Sequence, residues 1–390
     1  MPTLSIVIPL YNMAEWVAVT LESCLQQSHK ELEILVLDDG STDVGPDIAR
    51  AYAALDSRIR VISQPNAGLG GARQNGQDAA GGDYITWLDA DDFLSPTAAA
   101  SWLAAAEKDG SDLVCGNALA FSSRTFNARR YFYHTAATGL HFDTAPQYWK
   151  SKVVWRWIFS LDLIRRAGIR HAHFKLGQDV CFMYEMLLRA ERFAQVEPNV
   201  YYFRQEHKSA HASLETQVEH SLAHFAEVKR ILLHPPDGRA RIKPLIKYLN
   251  ENYWRDIKKT APRLSGPDDH YEKRLIDLGF ALFDGLAPDW FRAAALAPEV
   301  KEQTDFLPLA KAMIRRDREA VQGILENLRR TAVSAPDKRN VFHTIRHNLK
   351  SVLNPLAWEA RNHLRALESL AAKRKGIPRV TPGGVARPAR

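Results

Sequence analysis

The chain has 390 residues, 46% apolar and 25% charged, with a net charge of +7; that balance supports a folded protein, and the length suits a catalytic domain plus a second domain. Its three cysteines sit in apolar contexts without paired or metal-type spacing, which excludes a disulfide framework and points to reduced thiols in a cytoplasmic compartment. No uninterrupted apolar run is long enough to span a bilayer, and the N terminus runs straight into a strand rather than a signal peptide, so the expected location is cytoplasmic, free or peripheral on the inner face of the cell membrane.

In chain order, Leu4–Pro9 is a β-branched run typical of a buried parallel strand, followed at once by Tyr11 and Asn12. After a helical stretch, Glu33–Leu37 makes a second strand and ends in Asp38, Asp39, Gly40, Ser41, Thr42 and Asp43. Arg60–Ser63 is a third strand, and Asn66–Gly76 opens a helix. The apolar run from Tyr84 then ends abruptly in Asp89, Asp91 and Asp92. Carboxylates at the end of a buried strand are costly unless a cation neutralises them. Hard divalent ions bind one or two carboxylates together with substrate phosphates, so the segment reads as a metal–diphosphate site or as an acidic turn capping the next helix. Strands alternating with helices give a mainly parallel sheet, and polar side chains after each strand fall at its carboxyl edge, where open α/β sheets bind ligands.

The series S-I-V-I-P-L-Y-N, D-D-G-S-T-D, N-A-G-L-G-G-A-R and W-L-D-A-D-D, in this order and spacing, resembles the nucleotide-sugar half of a family 2 glycosyltransferase: inverting, of GT-A fold (Rossmann-like α/β, mainly parallel) and of the bacterial surface-polysaccharide type. Downstream, Leu176–Phe182 resembles the family segment carrying the catalytic base, and Val200–Ser209 its closing strand and loop. The resemblance covers roughly the first half of the chain.

It implies Asp91, with Asp89, as ligands of Mn²⁺ or Mg²⁺, Asp89 alternatively meeting the donor ribose. It implies Asp39 as acceptor of an imide N–H of uridine or thymidine, with Pro9 and Tyr11 lining the base pocket. Arg73 would reach the base or the phosphates, and Arg204 the leaving diphosphate. Asp179 would be the general base; on residue type alone it is equally an N-cap for an apolar helix Val180–Leu188. Trp155, Trp157 and Gln178 fall where the family binds acceptors, the two tryptophans alternatively being core residues of an apolar helix. His207 and His211 are further candidate ligands. Two departures from the family pattern stand out: Gln74 follows Arg73 where Asn is usual, with Asn75 one place later, and Gln178 precedes Asp179 where Glu is usual.

Beyond a boundary near residues 210–216 the periodicity is helical, over Leu222–Leu233, Ile242–Ile257, Tyr271–Leu286, Phe306–Arg316 and Arg318–Arg330. The expected organisation is a GT-A domain over 1–212, an all-α domain over 213–375 and a disordered basic tail over 376–390. After Ala335 basic residues far outnumber acidic ones and interleave with apolar ones. Such a segment lies on an anionic membrane surface or packs its apolar stripe on the protein with its charges solvated. No nucleic-acid-binding module accompanies the charge.

The reading is a metal-dependent hexosyltransferase moving a sugar from a nucleoside-diphosphate sugar, UDP-linked, to a hydroxyl of a surface glycan or lipid-linked glycan. The alternative is a catalytically silent, glycan-binding or scaffold relative. A nucleotidyltransferase on a similar sheet would carry a glycine-rich motif with a catalytic Lys or Arg near the N terminus, which Pro9–Asn12 does not offer.

Overall fold

A computed structural model describes residues 1–125, 127–206, 213–295, 306–334, 355–380 and 386–387. Strands β1 (Leu4–Leu10), β2 (Leu32–Asp38), β3 (Ile59–Ser63) and β4 (Tyr84–Trp87) are parallel and lie in the order β3-β2-β1-β4. The chain leaves β1 to one side through β2 and β3, then returns to its other side with β4, which creates the crevice at the carboxyl ends where such sheets bind ligands. The ten-stranded sheet continues through β9 (Trp157–Ser160), β6 (Leu113–Ser122), β10 (Phe193–Arg204) and β5 (Phe93–Leu94). Strand β9 is antiparallel to both neighbours, and β7 (Asn127–Phe132) pairs with the upper part of β6. The sheet is therefore mixed with a parallel core, a Rossmann-like arrangement followed by helices.

The period of two along the strands sorts the core into two layers. Leu4, Ile6, Ile8 and Leu10 of β1, with Ile34 and Val36 of β2, pack under α1 (Val17–Leu25), α2 (Gly45–Leu55) and α4 (Ala98–Asp109). Val7, Leu35 and Leu37 face the opposite layer, which holds α3 (Gly68–Ala79), α5 (Leu161–Ala167) and α6 (Gln178–Arg189). Helix α3 comes unusually close to β1. A Cβ at Gly76 would lie 2.3 Å from Val7 Cγ1, so only glycine permits the approach.

The downstream helices form as their periodicity requires: α7 (Leu222–Leu233), α8 (Ile242–Tyr248) running through a π-helical turn into α9 (Trp254–Thr260), α10 (His270–Phe283), α11 (Pro288–Ala295), α12 (Phe306–Arg315) and α13 (Arg318–Ser334). Their core is continuous with the α6 side of the sheet, since Phe225, Leu245, Tyr253 and Met313 belong to the same apolar cluster as Val7 and Trp87. Residues 207–212, which hold the first part of the boundary expected near 210–216, lie outside the described residues, and with them His207 and His211.

Two expectations for the C-terminal part change. Helix Pro355–Lys373 lies against the sheet rather than in the helical array: Ala357, Ala360, Leu364 and Leu367 are buried with Phe93, Leu119, Phe121 and Tyr202. Tyr202 Oη donates to Glu359 Oε1 at 2.7 Å, His363 Nε2 meets the Leu94 carbonyl at 3.0 Å, and Arg374 Nε donates to the fully buried Glu22 at 2.7 Å. The apolar stripe read as membrane-binding or packing is, over this helix, packed, because the edge around β5 offers an apolar surface of its own. Arg379–Val380 then pairs with Ala386–Arg387 as a short antiparallel ladder where disorder was expected. The rest of the basic segment, 335–354, lies outside the described residues. Among the described residues no helix is long and apolar enough to cross a membrane.

Leu367→Ala tests the docking of the C-terminal helix. Removing this 1%-exposed side chain should lower the unfolding free energy by about 2–5 kcal/mol, read from the urea midpoint. An unchanged midpoint would mean that the helix is not held on the sheet.

Candidate active site

The turns after β1 and β2 lock onto each other. Asn12, with φ of 53°, accepts from Thr42 N through Oδ1 at 2.8 Å. Asp38 Oδ1 accepts from Ser41 N at 3.0 Å, and Asp43 accepts from Ala14 N and Gly45 N at 2.8 and 2.9 Å. These two acids make the turn. Asp39, 3% exposed, instead lines a cavity of about 550 Å³, where its Oδ1 accepts from Ala67 N at 2.7 Å and Gln64 Nε2 at 2.8 Å. Gln64 Oε1 in turn accepts from Asn75 Nδ2 at 2.7 Å, so the Asn displaced by one place steadies Asp39 from a distance.

The same cavity is lined by Pro9, Tyr11, Asp89, Asp91, Phe203 and Arg204, which brings together most of the donor-side residues singled out in the sequence. Arg73, 2% exposed, stands behind it on the second turn of α3. Its Nη2 donates to Asp89 Oδ1 at 3.0 Å and its Nη1 is hydrogen-bonded to Asp179 Oδ1. One guanidinium thus bridges the carboxylate after β4 and the carboxylate in the first turn of α6. Asp179 keeps 17% side-chain exposure. Burial pushes its carboxyl up from the usual carboxylate range; Arg73 pulls it down, and Asp89 adds to the upward shift.

Two structural details set this geometry. At Gly177, with φ of +87°, a Cβ would lie 2.2 Å from the His224 ring, so glycine is needed both for the turn into α6 and for the contact with α7. Gln74 Oε1 accepts from His171 N at 2.8 Å and ties the loop leading to Asp179 back to α3. His171 is buried, stacked on Phe182 at 4.4 Å, and is held neutral by burial and by the neighbouring Arg73.

Asp92 plays a different part from its neighbours. It is 1% exposed, accepting from Tyr201 Oη and Arg204 N, each at 2.7 Å. Burial, then Asp91 and Asp89, hold its carboxyl well above the usual range. Tyr201 Oη also accepts from Asp89 N at 3.2 Å, so this one hydroxyl pins both ends of the acidic turn. Sequence reasoning missed Tyr201; the alternation of Tyr201 and Phe203 on one face of β10 was its signal. Arg204, 1% exposed, stacks on Trp16 at 4.0 Å and donates through Nε to the Asp91 carbonyl at 2.7 Å. Its Nη2 is buried with no hydrogen-bond partner among the described residues.

The acceptor-side residues are corrected by their burial. Trp157 is not on a helix; it begins β9, is fully buried and packs on Tyr148, Phe159 and Phe193. Trp155, just before that strand, is 4% exposed and stacks on Tyr201 at 4.2 Å. Gln178 is 6% exposed beside Gly70 of α3. None of the three offers an open face to a sugar.

The acidic turn suits a hard divalent cation, since Asp91 and Asp89 both line the cavity and add, after burial, to the upward shift of Asp92. Among the described residues no group of three or more His, Cys, Asp or Glu forms a cage. Phosphate oxygens of a ligand would have to complete the coordination.

Residues 5–169 match the model of glycosyl transferase family 2. The uncharacterized glycosyltransferase EpsJ of Bacillus subtilis (strain 168) is 31% identical over 218 residues, 53% of this chain and 62% of EpsJ, so less than two thirds of that relative is spanned. The uncharacterized glycosyltransferase YibD of Escherichia coli (strain K12) is 29% identical over 241 residues, 59% of this chain and 70% of YibD. In fold the chain is similar to S. aureus TarS 1–349, solved in complex with UDP-GlcNAc, with a TM-score of 0.68, 17% identity, and coverage of 84% of this chain and 92% of that one.

Tyr201→Phe should destabilise the chain by about 1–3 kcal/mol, because it leaves the buried Asp92 Oδ2 without its donor while keeping the ring. A urea midpoint equal to wild type would remove the hydroxyl from this role.

Proposed function

We propose, from the premise that through residues 5–169 the chain belongs to glycosyl transferase family 2, that it is an inverting transferase moving a sugar from a UDP-sugar to a hydroxyl of a growing surface glycan or lipid-linked glycan. The observation that carries this reading is the cavity at the carboxyl edge, lined by a carboxylate, Asp39, an acidic turn, Asp89 and Asp91, and by Arg204. A guanidinium in the wall of such a cavity complements phosphate oxygens. The UDP-GlcNAc bound by the TarS fold neighbour supports a uridine donor here.

In this reading Asp39 accepts the imide N–H of the base, with Pro9 and Tyr11 flanking the ring. Asp91 and Asp89 would hold Mn²⁺ or Mg²⁺, which supplies charge neutralisation for the diphosphate. Arg204 holds the leaving diphosphate. Asp179 takes the proton of the acceptor hydroxyl as the new oxygen–C1 bond forms and the bond from C1 to the diphosphate oxygen breaks. Arg73 fixes the orientation of Asp179 and spaces it from Asp89. A single displacement inverts the anomeric centre.

Asp179→Asn should lower kcat by roughly 10²–10⁴-fold while UDP affinity stays within about twofold of wild type. Near-normal turnover, or a product of retained configuration by NMR, would overturn the assignment. Because Asp179 acts as carboxylate and burial raises its pKa, the acid limb of kcat/KM should lie above the ordinary Asp value of 3.8, activity being lost as pH falls through it. A limb at or below that value would contradict the burial argument.

Asp91→Asn removes charge but little volume, so it should abolish transfer and the Mn²⁺-dependent part of UDP affinity without changing the thermal midpoint by more than a few degrees. Full activity in EDTA would exclude a divalent ion.

A further inference from the structure

With Trp155, Trp157 and Gln178 buried, the acceptor must be bound elsewhere. Of the seven exposed large apolar side chains among the described residues, Tyr11 and Leu69 line the donor cavity, and Tyr131 and Tyr133 belong to β7 and the segment after it, 38% and 45% exposed. Tyr131 is not an isolated surface ring. It stacks on Phe203 at 5.4 Å with 20° between planes, and on Trp155 at 6.0 Å with 21°. Phe203 is a wall of the donor cavity. Trp155 stacks in turn on Tyr201 at 4.2 Å, whose hydroxyl holds the acidic turn. The stack therefore runs from the donor cavity and the acidic turn outward, and its exposed end is the Tyr131 ring.

Cationic groups flank it. The Arg129 guanidinium lies 5.4 Å from the Tyr131 ring centre and that of Arg130 lies 4.1 Å from the Tyr133 ring centre. Both arginines are exposed, and neither is ion-paired to a carboxylate among the described residues. A rigid aromatic face takes the C–H face of a pyranose at little cost in side-chain entropy, and a guanidinium beside it selects planar or tetrahedral anions.

We propose that Tyr131 and Tyr133, with Arg129 and Arg130, form the acceptor subsite, on which a sugar ring of an anionic glycan stacks while its carboxylate or phosphate pairs with the arginines. This deepens the glycosyl-transfer reading above and rests on it for the meaning of acceptor; the binding itself is measured without donor.

The test titrates the full chain with tetragalacturonate, with mannotetraose 6-phosphate and with neutral maltotetraose at low salt. At least one charged probe should bind about tenfold more tightly than the neutral one and weaken as salt rises; which of the two does so separates a carboxylate from a phosphate. Tyr131→Ala should weaken that probe about tenfold, Tyr131→Phe should keep it, and Arg129→Gln with Arg130→Gln should bring it down to the neutral level. UDP affinity should stay within about twofold of wild type in all of these variants, and the thermal midpoint should fall by no more than a few degrees. No binding of either charged probe, equal binding of the neutral one, or indifference to Tyr131→Ala overturns the subsite. A parallel UDP titration keeps the two readings apart, since loss of UDP binding with glycan binding retained would sink the donor reading alone.

Discussion

A guanidinium buried between two carboxylates is the constraint on which the rest of the site depends. Arg73 is 2% exposed and meets Asp89 on one side and Asp179 on the other. Such a group is stable in the interior only when paired, and removing one partner of a buried pair typically costs about 3–5 kcal/mol. Three elements must therefore meet within hydrogen-bond distance: α3, the end of β4 and the start of α6. Gly76 lets α3 close on β1, Gly177 lets α6 begin against α7, and Gln74 ties the intervening loop to α3. The charge arrangement follows from it, with the carboxylates of Asp89 and Asp179 held apart by one cation.

The second organising feature is the strand pair β10 and β5 beyond the acidic turn. Tyr201 fixes the turn from one face of β10, while Tyr202 on the other face bonds Glu359 of the C-terminal helix. A segment more than a hundred and fifty positions away thus braces the strand that carries Phe203 and Arg204 to the cavity. The helix serves as a buttress of the site, and Ala357, Ala360, Leu364 and Leu367 are buried in doing so.

The parallel strands, the downstream helices and the gathering of Pro9, Tyr11, Asp39, Asp89, Asp91 and Arg204 around one cavity were legible in the sequence. Each depends on a local pattern: β-branched runs ending in polar turns, or apolar residues at three- and four-residue spacing. What was not legible depends on pairing across the sheet. Trp155 and Trp157 look helical in sequence, yet they precede and begin a strand slotted between β4 and β6, where partners such as Phe159, Phe193 and Tyr201 surround them. The docking of the C-terminal helix rests on Phe93, Leu119 and Phe121, remote in sequence, and the stacking of Tyr131 rests on the equally remote Phe203. Gln74, read as a departure from the family pattern, has a structural task that only the position of His171 reveals.

The central claim is that the cavity between Asp39 and Arg204 receives a uridine diphosphate whose charge is met by the acidic turn with a divalent ion. Calorimetric titration of UDP and of GDP into the full chain, with and without Mn²⁺, tests it most directly. The account predicts that UDP binds at least about tenfold more tightly than GDP, a difference of about 1.4 kcal/mol, and that the affinity depends on Mn²⁺. Equal or preferred binding of GDP, or UDP affinity indifferent to the metal, would contradict it.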